Sequence, residues 1–237
     1  WGNDQFPAYL APRIRDKGRT MVLFWEAVNY NRDYFSQPEY SFDSVIAGKM
    51  DPYFTKFAAD AKAYKGEIIL APYSEFNGNW FPWGMTVSGN TPEKFIKAWI
   101  HIHSFFADVP NVKFAWVPNN DSVPDVVANN FDLNYPGSAY VDIVGLDAFN
   151  NTPWETFDQM LSAEIGRLKK YNKPIYLLSL GVKNDQRKAA WITDAFTVQL
   201  YKYPEVKGWV WFNENKEQDW RVNSSVESLQ AFKNMIP

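Results

Sequence analysis

The 237-residue sequence contains no cysteine, and this absence excludes a disulfide framework and any thiolate metal site. The sequence also has no run of about 18 apolar residues and nothing that resembles a signal peptide, so the chain as given is predicted to be soluble. Neither absence identifies a cellular compartment, because a secreted protein whose signal has been removed would have the same composition.

Charge of one sign and metal-ligating residues are also scarce. The formal net charge is −3 and no basic run occurs, which argues against a nucleic acid as the main partner. The two histidines, His101 and His103, are two positions apart on a predicted helix and face different sides of it, which disfavours a metal pair. No glycine-rich phosphate loop is present. The sequence thus predicts no cofactor and no metal, and neither a nucleic acid nor a membrane as partner.

Aromatic residues, in contrast, are abundant. They make up 18% of the chain, with 11 tryptophans, 13 tyrosines and 18 phenylalanines, which is more than a core of this size ordinarily requires. Carbohydrate-binding proteins are often this aromatic, because aromatic rings stack on the C–H-rich faces of sugars. A dense core would give the same composition, so composition alone does not separate the two interpretations.

Hydrophobic periodicity predicts strands that alternate with helices. Short apolar runs typical of strands buried on both faces occupy residues 20–25, 67–72, 112–118, 140–146, 174–178 and 206–212. Helical patterns occupy residues 6–19, 51–64, 91–108, 155–171, 186–203 and 224–235. The alternation predicts one α/β domain with parallel strands and crossover helices, whose functional groups lie beyond the carboxyl ends of the strands.

The stretch at residues 68–84, IILAPYSEFNGNWFPWG, carries the strongest functional signal. A buried strand delivers one carboxylate, Glu75, into a loop of amides and aromatic rings. A carboxyl group handles a proton at a glycosidic oxygen, amides bind sugar hydroxyls, and indole faces stack on pyranose rings. Gly78, Pro82 and Gly84 favour a loop, so we interpret the stretch as a glycan site rather than as core tryptophans at a strand end.

This stretch resembles the acid/base loop of glycoside hydrolase family 26, which holds mannanases, lichenases and related β-glycanases on an eight-stranded β/α barrel. The residues that match the family pattern are Pro72, Glu75, Asn77, Gly78, Trp80 and Trp83. The resemblance implies a (β/α)8 TIM-barrel fold, Glu75 as general acid/base, a β-linked polysaccharide or oligosaccharide as partner, and an extracellular or secreted protein. Only strands three to eight of the family are recognisable, so the first two are expected to be missing from a single domain that covers residues 1–237.

The same resemblance raises a difficulty at the expected nucleophile. Retaining glycosidases use two carboxyl groups roughly 5 Å apart. In the family, the nucleophile is a Glu that ends the seventh strand in a K-P-I-x-I-x-E-x-G pattern. Residues 173–181 read KPIYLLSLG, which puts Ser179 at that position. A serine with no base in this motif cannot form the glycosyl-enzyme ester in the usual way.

Three further departures fall on the same reaction centre. Ala71 stands where the family has Arg, Ser74 where it has His, and Phe149 where it has a Tyr that contacts the nucleophile. Four departures together favour natural loss of catalysis, although altered catalysis, an engineered exchange and a misalignment of these positions all stay open. The carboxylates that could form an inverting pair with Glu75, at about 6.5 to 9.5 Å from it, are Glu26, Asp147 and Glu214.

The sequence therefore predicts a β-glycan-recognising domain, for mannan or mixed-linkage glucan, that is impaired in or lacks ordinary retaining hydrolysis. The predicted catalytic positions are Glu75 and Ser179, and the predicted substrate-binding residues are Glu26, Ser74, Asn77, Trp80, Trp83, Trp116, Asn119, Phe149, Trp211 and Trp220. One alternative is an active endo-β-glycanase that uses Glu75 with a different second carboxylate, or one whose nucleophile was exchanged by engineering. Another is a structural or interaction domain that inherited the fold.

Overall fold

Strands and helices alternate along most of the chain. A computed structural model describes residues 1, 2 and 4–235. The strands are β1 (Met21–Trp25), β2 (Ile68–Pro72), β3 (Val112–Trp116), β4 (Ile143–Asn150), β5 (Ile175–Val182) and β6 (Val206–Trp211). The α-helices are α1 (Phe42–Ile46), α2 (Asp51–Tyr64), α3 (Pro92–Ser104), α4 (Phe157–Leu168), α5 (Lys188–Asp194) and α6 (Val226–Met235). Within the described residues, none of the helices is both long and apolar enough to cross a bilayer.

The first of two compact units extends to Ile143 and contains β1, β2 and β3. These strands are parallel, with Met21 as the register partner of Ile68, and Ile68 as the partner of Val112. Because parallel strands end at the same edge of a sheet, the loops that follow β1, β2 and β3 all start from one edge of this unit.

The second unit runs from Val144 onward and contains β5, β6 and β4 apart from its first residue, Ile143; these strands are also parallel. Val144 is the register partner of Ile175, which is the partner of Val206. The pairing of β4 with β5 shifts after Leu146, so that Asp147 is the partner of Ser179. Such a shift re-aims the side chains that follow it.

Aromatic rings form much of the core of the first unit. The ring of Trp25 on β1 stacks on Phe57 of α2 at a centroid distance of 4.5 Å, and Phe76 lies 4.7 Å from Phe95 of α3. Trp99 of α3 is fully buried. Burying a large apolar side chain contributes about 1.5–3 kcal/mol, so a large share of the aromatic excess stabilises the fold.

The prediction of a helix at residues 6–19 is wrong. This segment forms two short 3₁₀ helices, Ala8–Leu10 and Arg15–Lys17, joined by turns. The apolar spacing was helical, but Pro12 lacks the N–H that a helix interior requires and its ring clashes with the carbonyl group one turn earlier.

The helix at residues 186–203 is shorter than predicted, and helix α1 was not predicted. The pattern at residues 186–203 contains α5 only over Lys188–Asp194, followed by a π-helical segment at Ala195–Gln199 and a 3₁₀ turn at Leu200–Lys202. Apolar periodicity does not distinguish these tighter and wider turns from an α-helix. Helix α1, with five residues, is too short to produce a periodic pattern.

Candidate functional site

Glu75 lies three residues beyond β2, in a strained turn. Tyr73 and Glu75 have φ values of 53° and 54°, in the left-handed region that non-glycine residues rarely adopt. The backbone N–H of Glu75 donates to the carbonyl oxygen of Val117 at 2.7 Å, which holds the turn against the end of β3. Backbone strain of this kind costs about 1–3 kcal/mol per residue and is concentrated at functional sites.

Two side chains orient the carboxylate of Glu75. The indole Nε1 of Trp80 donates to Oε2 at 2.6 Å, and the amide Nδ2 of Asn119 donates to Oε1 at 3.2 Å. Hydrogen bonds to a charged acceptor are short and directional, so they fix where the carboxylate points. Glu75 and Trp80 are both partly exposed.

Asn77 joins the loop after β2 to the loop after β3. Its side chain is fully buried, with Nδ2 donating to the carbonyl oxygen of Asn119 at 2.9 Å and Oδ1 accepting from the N–H of Asn119 at 2.8 Å. Nδ2 also lies 3.3 Å from the carbonyl oxygen of Asp121 and 3.2 Å from the hydroxyl of Ser122. In this structure Asn77 therefore positions Asn119, which in turn contacts Glu75.

Trp83 packs inside the central loop (residues 73–84, after β2) and does not face solvent. Its indole Nε1 donates to the carbonyl oxygen of Ser74 at 2.7 Å, and its ring stacks on Phe81 at 4.4 Å. Both Trp83 and Ser74 are buried. The chain also crosses itself closely here, because a Cβ added at Gly84 would lie 2.2 Å from the carbonyl oxygen of Gly78. Glycine is required at that crossing.

Trp116 at the end of β3 is fully buried. Its ring packs edge-on against Phe131 at 5.7 Å and Tyr135 at 5.2 Å, and its Nε1 donates to the carbonyl oxygen of Asn134 at 3.1 Å. These contacts assign the ring to the support of the loop after β3. Of the three tryptophans predicted to bind substrate in this unit, Trp80 is the partly exposed one.

Glu26 follows directly after β1, and its Oε2 accepts a hydrogen bond from the hydroxyl of Tyr30. Burial, together with the negative charges of Glu26 and Glu75, raises the pKa of the nearby Tyr34 to about 12. Tyr34 thus lies within electrostatic range of both carboxylates. Sequence reasoning missed Tyr30 and Tyr34, because the loop that carries them has neither a periodic pattern nor a motif.

The candidates of the second unit surround the ends of β4, β5 and β6. The ring of Phe149 lies 5.2 Å from that of Trp220, and a Cβ added at Gly181 would lie 2.7 Å from the Phe149 ring. Trp211 donates from Nε1 to the carbonyl oxygen of Trp220 at 2.9 Å. Trp211 and Trp220 are 9% and 5% exposed, so most of their ring surface is packed. Ser179 lies inside β5 and is 7% exposed.

A buried lysine on α5 holds the loop that carries Trp220. The ammonium group of Lys188 donates to the carbonyl oxygens of Trp220 at 3.1 Å and Arg221 at 2.8 Å, and to the hydroxyl of Ser224 at 3.0 Å. Burial lowers the pKa of Lys188 to about 8, although the negative charge of Asp219 opposes this shift. The sequence offered no signal for this role, since a lysine on a helix is usually exposed.

The other carboxylates considered as a second catalytic acid have different surroundings. Asp147 is buried within β4, whereas Glu214 is exposed after β6. Among the residues that the structure describes, no group of three or more histidine, cysteine, aspartate or glutamate side chains could hold a metal ion.

The sequence of this chain matches the model of a known protein family. The model of glycosyl hydrolase family 26 matches residues 33–232. This chain belongs to glycosyl hydrolase family 26. Endoglucanase H of Acetivibrio thermocellus is 35% identical over 238 aligned positions, which cover 95% of this chain and 25% of that protein. The chain thus spans about a quarter of the length of this curated relative.

Solved structures of the family share the fold. A family 26 β-mannanase from Bacteroides ovatus matches 96% of this chain and 70% of its own, at 19% identity and a TM-score of 0.66. A modular endo-β-1,4-mannanase from Cellulomonas fimi matches 96% of this chain and 56% of its own, at 17% identity and a TM-score of 0.72. The predicted fold class, α/β of the (β/α)8 TIM-barrel type with six strands in this chain, is confirmed. The single domain over residues 1–237 stays a prediction.

Proposed function

We propose that this chain recognises a β-linked glycan through the loop that carries Glu75, without ordinary retaining hydrolysis. The observation that carries the proposal is a carboxylate oriented by Trp80 Nε1 at 2.6 Å and Asn119 Nδ2 at 3.2 Å, in a strained turn at a strand end. A carboxylate with a fixed direction on a partly exposed glutamate, beside a partly exposed tryptophan, can bind a sugar hydroxyl while the tryptophan ring stacks on the adjacent pyranose.

The class of glycan is supported by family membership and by the names of similar proteins. The relatives include an endoglucanase and an endo-β-1,4-mannanase, which are named for a glucan and for a β-1,4-mannan. Such polymers offer hydroxyl groups to the carboxylate of Glu75 and to amides such as that of Asn119, and C–H-rich faces to Trp80. Both β-glucan and β-mannan are therefore candidate ligands, and the experiment below compares them.

The absence of ordinary hydrolysis is proposed because Ser179 stands where the family pattern has its nucleophile. In a retaining reaction, a carboxylate oxygen bonds to the anomeric carbon as the glycosidic bond breaks, and water later releases the sugar. A serine hydroxyl is neutral at physiological pH, and the motif supplies no base to deprotonate it. Ala71, Ser74 and Phe149 also lack the groups that the family pattern has at those positions.

The test is calorimetric titration with manno- and mixed-linkage gluco-oligosaccharides, combined with an assay for released reducing ends. The protein is expected to bind at least one of the two sugars saturably and to release no reducing ends. Glu75→Gln should weaken binding about tenfold, because the substitution removes one charge-assisted hydrogen bond to the sugar. Glu227→Gln, an exposed glutamate on α6, is the matched control and should bind like the wild type.

Two results would contradict the proposal in different ways. No binding of either sugar at millimolar concentration would overturn glycan recognition. Release of reducing ends by the wild type, lost in Glu75→Gln, would overturn the absence of hydrolysis and favour an active enzyme with another second carboxylate. Ser179→Glu is expected to stay inactive because of the accompanying departures, and recovered hydrolysis in this variant would show that one exchange accounts for the loss.

A further inference from the structure

Lys188 of α5 is a fully buried lysine with no role in the proposed function. Its ammonium group lies among four oxygen atoms, which are the carbonyl oxygens of Asp219, Trp220 and Arg221, at 3.4, 3.1 and 2.8 Å, and the hydroxyl oxygen of Ser224, at 3.0 Å. Several oxygen atoms around one centre are the surroundings that proteins offer to a hard metal cation. The ammonium group therefore takes the place of such a cation, and it holds three consecutive carbonyl groups together.

The ammonium group is mostly charged at pH 7, because burial lowers the pKa of Lys188 no further than about 8. The negative charge of Asp219 opposes the shift and the positive charge of Arg221 adds to it, and these two side chains form an ion pair at 2.8 Å. Nζ of Lys188 also lies 5.7 Å from the centre of the Trp211 ring, within the range of a cation–π contact. Because a buried charge is costly without partners, these contacts keep the surrounding groups close to Nζ.

The loop after β6, residues 213–224, has internal bonds that give it a shape of its own. The backbone N–H of Trp220 donates to the carbonyl oxygen of Glu214 at 2.9 Å, and that of Val222 donates to Oδ1 of Asn213 at 2.8 Å. Lys188 contributes contacts from outside this loop, which join the loop to α5 and so fix its position against that helix.

The loop after β6 carries the ring that supports Phe149. The ring centroids of Trp220 and Phe149 are 5.2 Å apart, with an angle of 61° between the planes. Both rings cover Gly181 of β5, where an added Cβ would lie 2.7 Å from the ring of Phe149 and 3.2 Å from that of Trp220. Trp220 is 5% exposed, whereas Phe149 is partly exposed. A displacement of the loop would therefore move the support of a ring that is partly exposed at the end of β4.

We infer that Lys188 is a positioning residue for Phe149: its ammonium group holds the loop after β6 in the place where the ring of Trp220 supports that of Phe149. This inference rests on the proposed function and on the predicted contact of Phe149 with the glycan. An apolar side chain of similar length would fill the space of Lys188 but would donate nothing to the carbonyl groups. Such a substitution should therefore keep the packing of α5 and lose the position of the loop.

The first test is a double-mutant cycle, in which calorimetry measures Kd for the oligosaccharide that the wild type binds more tightly. Lys188→Met and Phe149→Ala are each expected to weaken binding by about two- to tenfold, the change that loss of one stacked ring produces. Because Lys188 acts through Phe149, the double variant should bind no more weakly than Phe149→Ala alone. Lys202→Met removes an exposed lysine that contacts the side chain of Gln199, and it should bind like the wild type.

The second test separates the charge of Lys188 from the volume of its side chain. Lys188→Ala leaves a space beside the four oxygen atoms, so added methylammonium chloride should restore part of the lost affinity. In Lys188→Met the longer side chain fills that space, and methylammonium should change nothing. Tetramethylammonium chloride at the same concentration controls for ionic strength, because its cation is larger and donates no hydrogen bond.

The outcomes separate this inference from the function on which it rests. Wild-type affinity in a folded Lys188→Met or in Phe149→Ala, or effects of the two substitutions that multiply in the double variant, would overturn the positioning role. Failure of methylammonium to restore binding in a folded Lys188→Ala would do the same. Weakened binding in Glu75→Gln would then leave the proposed function intact, whereas no binding by the wild type would overturn both. If Lys188→Ala unfolds, the cycle with Lys188→Met, which keeps most of the side-chain volume, still decides.

Discussion

Two asparagines of the central loop, two positions apart, differ completely in their surroundings. Asn77 is fully buried, and its amide is bonded in both directions to the backbone of Asn119, whereas Asn79 is exposed. We expect Asn77→Ala to lower the free energy of unfolding by about 2–3 kcal/mol, because it leaves buried backbone groups without their partners. Asn79→Ala should change it by less than about 0.5 kcal/mol. Urea denaturation of the three proteins measures both values.

The same pair of variants tests the positioning role of Asn77. If Asn77 holds Asn119 in place to contact Glu75, Asn77→Ala should also weaken oligosaccharide binding under conditions in which the variant is folded. Equal stability losses in the two variants, or unchanged binding in a folded Asn77→Ala, would contradict the role assigned to this side chain.

For single residues, the sequence predicts which side chains have a suitable functional group better than it predicts whether those side chains face the site or the core. The family pattern led to Glu75 and to its neighbour Trp80, because a specific motif names residue types at fixed spacing. It could not tell that Trp116 faces the interior, since an indole packs in a core as well as it stacks on a sugar. Tyr34 was not predicted because it lies in an aperiodic loop whose conformation depends on the buried amide of Gln37.

At the scale of the secondary-structure elements, the ammonium group of Lys188 joins α5 to the loop at residues 219–224. Lys188 is buried and donates to backbone carbonyls of that loop, including those of Trp220 and Arg221. We expect Lys188→Met to lower the free energy of unfolding at pH 7 by about 1–3 kcal/mol, because these acceptors lose their donor. Lys183→Met is the matched control: its ammonium group contacts the exposed side chain of Thr152, so the change should stay within about 0.5 kcal/mol.

Burial of Lys188 also predicts a pH dependence. Its pKa falls from 10.5 to about 8 in the folded protein, so between pH 8 and pH 10.5 the unfolded state binds more protons than the folded state. The contribution of Lys188 to stability therefore rises with pH in this window, and below pH 8 the full penalty of burying the charge remains. The difference in unfolding free energy between wild type and Lys188→Met should widen from pH 7 to pH 9.5. A constant or shrinking difference would contradict a lowered pKa.

The strands were predictable as elements, whereas several helices were not. Each strand is a short, largely apolar run, a pattern with few competing interpretations; β2 to β5 are mostly buried, whereas β1 and β6 are only partly buried and contain the exposed residues Phe24 and Lys207. Strands β4 and β5 extend beyond the predicted ends and include Phe149 and Ser179. The segment at residues 6–19 had helical spacing but contains Pro12, and the backbone constraint of proline outweighs hydrophobic periodicity. The register shift after Leu146 has no local sequence signal.

For the whole molecule, composition sets what kind of ligand it can attract. The net charge is −3, and the carboxylates of Glu75 in the proposed site and of Glu26, which both act on the pKa of Tyr34, add local negative potential. A neutral oligosaccharide has no charge to be attracted or repelled, so its binding should not depend on long-range electrostatics.

We therefore expect Kd for a neutral hexasaccharide to change by less than about twofold between about 0.05 and 0.5 M salt, because the contacts proposed for it are stacking and short hydrogen bonds. The same hexasaccharide with one uronic acid unit should bind more weakly at low salt and recover part of the loss at high salt, where screening reduces its repulsion from the two carboxylates. Calorimetric titrations at several salt concentrations measure both trends. Affinity for the neutral sugar that falls steeply with salt would instead indicate that ionic contacts dominate, and that the negative edge of the first unit is not where the glycan binds.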